Sequence, residues 1–157
     1  MVSNINIKNA KIAFRNFEGK EGKFNPAGRR NFCVILEDQE LVAQLVNDGW
    51  NIKYLKPRDD EDPEQPYITV SVKFEPIKPN IYMVTSKNKV ELFEDTVGQL
   101  DYAEITNVDL SIRPYQWEVN GKTGIKAYLK TMYVTIEEDP FAASYEFPSE
   151  KEELPWE

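Results

Sequence analysis

The sequence predicts an all-β domain with one or two short helices. Three observations carry that expectation. Short runs alternate apolar and polar residues along most of the 157 positions. Clusters of Gly, Pro and Asn separate those runs. Only one stretch, residues 37–49, has apolar residues at helical spacing, and no βαβ period surrounds it. A chain of this length buries about 68–70% of its unfolded surface, so it can build a core without staples.

Taken in order, Ile5 to Phe17 alternates with one slip, because Ile5 and Ile7 differ in parity from Ile12 and Phe14. A β-bulge near Asn9-Ala10 reconciles the two halves and turns Lys11, Arg15 and Phe17 away from the core. Glu18 to Arg30 is a Gly-rich basic connection with Phe24 in its middle, expected to be flexible. Asn31 to Leu36 is a short buried strand. Glu37 or Asp38 then caps a helix that ends before Gly49, with Leu41, Val42, Leu45 and Val46 as its core stripe. Trp50 to Lys56 alternates again, and the acidic, Pro-bearing stretch 58–66 is expected to be a solvated, mobile loop. Tyr67 to Phe74 is the clearest strand, with Ile68, Val70, Val72 and Phe74 inward and Asn80 to Ser86 as its expected partner. Asp95 to Glu104 reads as a short helix or turn. Some seven short strands and one helix fit a five-stranded Greek-key barrel of the OB type, the extra strands forming loop hairpins.

The last hairpin, Ile112 to Tyr133, is the most informative segment. Asn120-Gly121 between alternating runs is a strong hairpin signal, since both residues tolerate positive φ. Arg113, Tyr115 and Trp117 share one face and Val108, Leu110 and Ile112 the other. On the return strand Lys126, Tyr128 and Lys130 lie opposite Ile125, Leu129 and Tyr133. A two-residue turn pairs Tyr115 with Lys126; a four-residue turn, Asn120 to Thr123, pairs Trp117 with Lys126. Either register puts cations and rings on one face, a surface suited to stacking on flat rings and holding phosphates. Cross-strand aromatic and cation–π pairing is the structural alternative.

The net charge of −8 is unevenly distributed. Residues 137–157 carry −7, residues 1–136 are near neutral, and residues 8–30 carry +5. The chain therefore has a basic front and an acidic end. The segment from Glu138 to Glu157 holds Pro140, Pro148 and Pro155 and too few apolar residues to offset its ordering entropy, so a disordered tail is expected. These boundaries define a domain over 1–137 and a tail over 138–157.

Cys33 is the single cysteine and excludes an intramolecular disulfide framework; its place in an apolar run points to packing. The absence of histidine removes the commonest general base and the usual zinc ligand, so no catalytic residue, metal or cofactor is expected. Carboxylate chemistry through Asp95, Asp101, Glu104 and Asp109 is the remaining enzymatic option, and acids in turns usually serve as caps. No apolar run approaches a membrane span and the first residues lack a signal-peptide layout, so a cytoplasmic protein without membrane contact is expected.

Three elements bear a resemblance to a family. The hairpin R-P-Y-Q-W-E-V-N-G-K-T-G-I-K-A-Y-L-K, the run D-G-W-N-I-K-Y-L-K-P-R from Asp48 to Arg58, and the acidic tail together resemble bacteriophage single-stranded DNA-binding proteins of the OB-fold type. The resemblance implies a barrel that coats exposed single strands during phage replication, recombination and repair, in the cytoplasm of the host cell. It also implies a tail that contacts replication or recombination proteins and competes with DNA for the groove. Better-known members end on an aromatic residue; here Trp156 is penultimate, followed by Glu157.

Sequence-independent binding of a single strand needs a basic groove and aromatic platforms. Lys11, Arg15, Lys53, Lys73, Arg113, Lys126 and Lys130 are the expected groove cations. Tyr115, Trp117 and Tyr128 are the stacking rings, joined by Phe17 and Phe24. Glu152, Glu153, Leu154 and Trp156 are the expected partner-binding residues of the tail. Phosphate contacts alone do not separate single-stranded DNA from duplex DNA or RNA. A carbohydrate-binding or virion structural β-domain is the main alternative, and the interleaved Lys and Arg argue against it, since neutral glycans do not need them. Oligomeric state is not legible in the sequence.

Overall fold

The computed structural model describes residues 3–23, 25–56 and 64–137. Phe24, the core of the acidic loop and the tail fall outside the described residues. Nine strands are present among the described ones: β1 (Ile5–Ile7), β2 (Lys11–Asn16), β3 (Arg30–Ile35), β4 (Ile52–Leu55), β5 (Gln65–Val72), β6 (Asn80–Val84), β7 (Lys89–Leu92), β8 (Ile105–Val119) and β9 (Lys122–Ile136). Helix α1 (Gln39–Asp48) lies between β3 and β4, and a 3-10 turn (Val97–Asp101) precedes β8. The strands form one curled sheet, a half-barrel of OB type, in the order β1-β8-β9-β5-β3-β2.

β9 is the spine of this sheet. β8 runs antiparallel along one edge of β9 for nearly its whole length. The other edge serves two neighbours in turn. β5 pairs parallel with it at Val70↔Ala127 and Ser71↔Tyr128, and β6 pairs parallel from Asn80↔Thr131 to Val84↔Thr135. β6 is therefore not the partner of β5 expected from their adjacency. It forms a hairpin with β7 instead, and the intervening residues 73–79 carry the chain from one part of the β9 edge to the next.

The core follows the alternation. Val108, Leu110 and Ile112 of β8, Ile68, Val70 and Val72 of β5, and Ile125, Ala127 and Leu129 of β9 are all buried. Helix α1 starts at Asp38, whose carboxylate accepts from the N–H groups of Glu40 (3.0 Å) and Leu41 (3.3 Å). It ends at Gly49, whose φ of 99° is the left-handed conformation of a helix stop. Its apolar stripe is narrower than the spacing predicts. Leu45 is buried and Leu41 and Val42 are partly covered, but Val46 is 51% exposed. A ten-residue helix resting on the sheet by one edge covers only part of a wide stripe.

Two irregularities rotate strands against the simple alternation. The break near Asn9 is a corner, not a bulge within one strand. Asn9 has a φ of 52°, and the chain leaves β8, the partner of β1, to pair with β3 as β2. The bulge lies further on, between Ala13 and Asn16, where Phe14 takes a φ of 51°. It reverses the expected faces: Phe14 is largely exposed and Phe17 is fully buried, stacked on Phe32 at 5.0 Å between centroids. Phe17 is therefore a core residue and cannot stack on a ligand. Asp101 fixes the following turn by accepting from the N–H groups of Phe17 (2.7 Å) and Glu18 (3.0 Å).

The reversed parity makes a measurable contrast. Phe17→Ala should lower unfolding free energy by about 3–5 kcal/mol, whereas Phe14→Ala should change it by no more than about 0.5 kcal/mol. Chemical denaturation of both variants reads the difference, and equal effects would contradict the bulge.

Candidate nucleic-acid interface

The β8–β9 hairpin closes through the two-residue turn, with Asn120 at φ 51° and Gly121 at φ 79°. This selects the register Arg113↔Tyr128, Tyr115↔Lys126 and Trp117↔Gly124 over the four-residue alternative. Beyond Pro114 on β8, residues 115–119 are exposed, so the end of the hairpin stands clear of the barrel as an arm. The rings and cations of its outer face are gathered. Tyr115 meets Tyr128 edge to face at 6.0 Å. The Arg113 guanidinium lies 5.2 Å and the Lys126 ammonium 5.3 Å from the Tyr128 centroid. Tyr115 is 52% and Trp117 38% exposed.

The Trp117 indole lies flat on Gly124, its cross-strand partner. A Cβ at Gly124 would stand 2.5 Å from the ring's Cζ2 and 2.7 Å from Cε2. Only a residue without a side chain lets the ring lie there, which gives the second glycine of N-G-K-T-G a packing role separate from the turn.

Beside the arm lies a cleft of about 910 Å3. One wall is the arm, with Trp117, Thr123 and Lys126. The segment after α1 also lines it, through Trp50, Asn51 and Lys53, and meets β9 at the Trp50↔Ile125 bridge. The floor is the outer face of β3 and β5, where Asn31, Thr69 and Ser71 alternate with core residues. Asn25 and Arg29 of the Gly-rich loop close one end. Arg29, Lys53 and Lys126 are its charged lining residues among the described residues, and no carboxylate of that described part lines it. A protein of net charge −8 thus presents a cleft whose described lining carries cations and no acid.

The Gly-rich loop is pinned where the sequence suggested flexibility. The Asn25 amide donates to the carbonyls of Lys20, Pro26 and Arg29, and its oxygen accepts from the Asn31 amide at 2.9 Å. Gly28 N–H bonds the Gly19 carbonyl across the loop neck at 2.8 Å. Arg29 is thereby presented by an ordered scaffold. Beside the floor residue Thr69, the buried Cys33 places its Sγ 3.6 Å from the Thr69 hydroxyl. Burial pushes its thiol pKa up, opposed by the Thr69 hydrogen bond and the charge of Lys53.

The expected site residues divide into groups. Lys53, Trp117 and Lys126 line the cleft, and Arg113, Tyr115 and Tyr128 adjoin it on the arm. Lys130 is exposed at a bulge in β9, where Ser111 pairs with Thr131 and Ile112 with Leu129. Lys73 is exposed but does not line the cleft. Lys11 forms an ion pair with Glu37 at 2.7 Å, away from the cleft. Arg15 donates to the carbonyls of Leu100 and Ala103, both at 2.8 Å, and so braces the turn before β8. Phe17 is buried, and Phe24 and the tail residues lie outside the described residues. Sequence reasoning passed over Arg29, Asn31, Asn51, Thr69 and Ser71. Asn31, Thr69 and Ser71 carry a signal in hindsight: small polar residues on the outward face of strands that are otherwise apolar.

Three of the four acids considered for carboxylate chemistry have other partners. Asp101 caps the turn after β2, and Asp109 accepts the Asn9 N–H at 2.9 Å. Glu104 raises the pKa of Glu137 through a side-chain hydrogen bond at the far end of the hairpin.

A family sequence model described as "Putative phage ssDNA-binding domain" matches residues 1–154. The fold is similar to the single-stranded DNA-binding protein of bacteriophage Enc34. Its C-terminally truncated form is 14% identical over 88% of this chain and 88% of that one, with a TM-score of 0.55. The same phage protein in complex with ssDNA is 13% identical over 88% and 89% of the two chains, with a TM-score of 0.56. No curated protein matches the chain.

The contact between Trp117 and Gly124 is directly testable. In a Trp156→Phe background, Gly124→Ala should lift the indole off the strand and raise acrylamide quenching of tryptophan fluorescence. Unchanged quenching would mean that the ring does not rest on Gly124.

Proposed function

Since this chain belongs to the phage ssDNA-binding domain family, we propose that the cleft and the hairpin arm hold single-stranded DNA without sequence preference, in support of phage DNA replication, recombination and repair. The observation that carries this reading is a cleft whose described lining holds cations and no acid, bordered by exposed rings, on a protein of net charge −8. Arg29, Lys53 and Lys126 attract the phosphates, and Trp117, Tyr115 and Tyr128 offer stacking faces to the bases. Asn31, Thr69 and Ser71 supply hydrogen bonds on the floor that any base or sugar can accept. Every base has a π face, so this chemistry tolerates all sequences. A related phage protein of the same fold has been captured with ssDNA, which is consistent with this assignment. The exposed rings favour unpaired bases over duplex, which presents its phosphates but not its base faces.

Residues 137–157 carry −7 on the same chain as the cleft. Tethering gives this segment a high effective concentration at the cations, so it competes with DNA as a polyanion. DNA displaces it and frees Glu152, Glu153, Leu154 and Trp156 for replication or recombination proteins.

Trp117→Ala should weaken polydeoxythymidine binding by about tenfold, the loss of one stacked base at about 1–3 kcal/mol. A folded variant of unchanged affinity would remove Trp117 from the interface. Deleting residues 138–157 should tighten binding at low salt and leave it nearly unchanged at high salt, where the tail is screened. A fluorescence titration across a salt series reads both, and an equal or weaker affinity after deletion would refute competition by the tail.

A further inference from the structure

A second group of rings lies on the outer face of β9, outside the cleft. β6 runs beside β9 with Tyr82 paired to Tyr133, and the two rings stack at 5.0 Å with an 18° angle between planes. The Lys89 ammonium stands 4.9 Å from the Tyr82 centroid and 5.8 Å from that of Tyr133. Simple alternation from Ile125 and Leu129 would have turned Tyr133 inward. The bulge at Lys130 shifts the parity, so that Met132 and Val134 are buried and Tyr133 is 38% exposed.

The two aromatic groups share one surface. From Val108 to Arg113 β8 alternates regularly, and its outward residues Asp109, Ser111 and Arg113 pair with Tyr133, Thr131 and Tyr128. Tyr128 and Tyr133 are thus separated by the four-residue step from Arg113 to Asp109, about 13 Å at a rise of about 3.3 Å per residue. Between them lie the small side chains of Ser111 and Thr131 and the exposed Lys130.

We propose that Tyr82, Tyr133 and Lys89 form a second stacking platform, onto which a strand crossing the hairpin arm continues toward the β6–β7 hairpin. This inference rests on the single-strand reading above. The free protein covers its rings with the Lys89 ammonium. An incoming base takes that place on the rings, and the lysine, on a flexible stem, moves to the adjacent phosphate. Among the described residues two acids border the group, and each has a partner. Glu91, across from Tyr82, is bridged by Lys78 at 2.5 Å, and Asp109, across from Tyr133, accepts the Asn9 N–H at 2.9 Å. With Lys89 and Lys130 added, cations exceed acids among the described residues along this path. At 3.4 Å per stacked nucleotide the gap spans at most about four nucleotides. A short strand can therefore fill the cleft and arm alone, while a longer one reaches both platforms.

The test is length dependence. Oligothymidylates of about six and about sixteen nucleotides, within the site sizes of OB folds, are titrated against the full chain and its variants. The Tyr133→Ala/Lys89→Ala variant should lose about tenfold in affinity for the long oligonucleotide and less than twofold for the short one. Trp117→Ala should weaken both. Lys89→Ala alone, an exposed substitution that should leave the melting temperature unchanged, should lower the log–log salt slope for the long oligonucleotide by about 0.7. That single variant decides the matter if the double one fails to fold. Unchanged affinity and slope for the long oligonucleotide, with Trp117→Ala still impaired, would overturn the second platform and leave the cleft intact. Equal losses at both lengths would mark the tyrosine pair as a support of the sheet, which also overturns it. Failure of the unaltered protein to bind either oligonucleotide would overturn the single-strand reading itself.

Discussion

The register of β8 against β9 is the constraint on which the rest of this molecule depends. Side chains alternate faces along a strand, so a slip of one residue would exchange every core position for an outer one. Val108, Leu110, Ile112, Ile125, Leu129, Met132 and Val134 are held inside by that register. At about 1.5–3 kcal/mol for each buried side chain, exposing them would cost on the order of 10 kcal/mol. That is comparable with the whole stability of a typical domain. The outer positions have no such vote. Arg113, Tyr115, Trp117, Lys126 and Tyr128 face outward because the aliphatic residues between them cannot.

Bulges then adjust what the register imposes. In β9 the extra residue Lys130 lets one strand keep two core stretches of opposite parity, 125–129 and 132–134, while bending toward a new neighbour. The same strand can therefore pair with β5 near its start and with β6 near its end. In β2 the bulge at Phe14 performs the reverse exchange, carrying Phe17 into the core against Phe32 and leaving Phe14 in solvent. Each irregularity moves an aromatic residue across the sheet, and in each case the ring's chemical surroundings change completely.

Charge is arranged on the same principle of segregation. The chain is acidic as a whole, yet among the described residues the charged lining of the cleft is cationic. Much of the basic charge near the N-terminus is not available to a ligand. Lys11 is paired with Glu37, and Arg15 is committed to the carbonyls of Leu100 and Ala103. Cations that remain toward the cleft, such as Arg29 on its asparagine-braced loop, meet no carboxylate among the described lining residues. Local placement, not total charge, sets the potential that a polyanion meets.

Several features were legible in the sequence because they depend on neighbours along the chain. The Asn120-Gly121 turn, the cap at Asp38, the stop at Gly49 and the inward set of β5 each follow from a few adjacent residues. So does the separation of rings from aliphatic residues along 113–129. Other features required distant segments to meet. Nothing near Tyr133 signals that a bulge three residues earlier reverses its face, nor that Tyr82 arrives beside it. The cleft floor of Asn31, Thr69 and Ser71 exists only because β3 and β5 pair, and the rest of its lining only because the segment after α1 meets β9 at Ile125. Alternation is a local property of the backbone and is written in the sequence. Strand partners and bulges minimise the exposed apolar surface of the whole sheet at once, and that balance is struck only in the folded molecule.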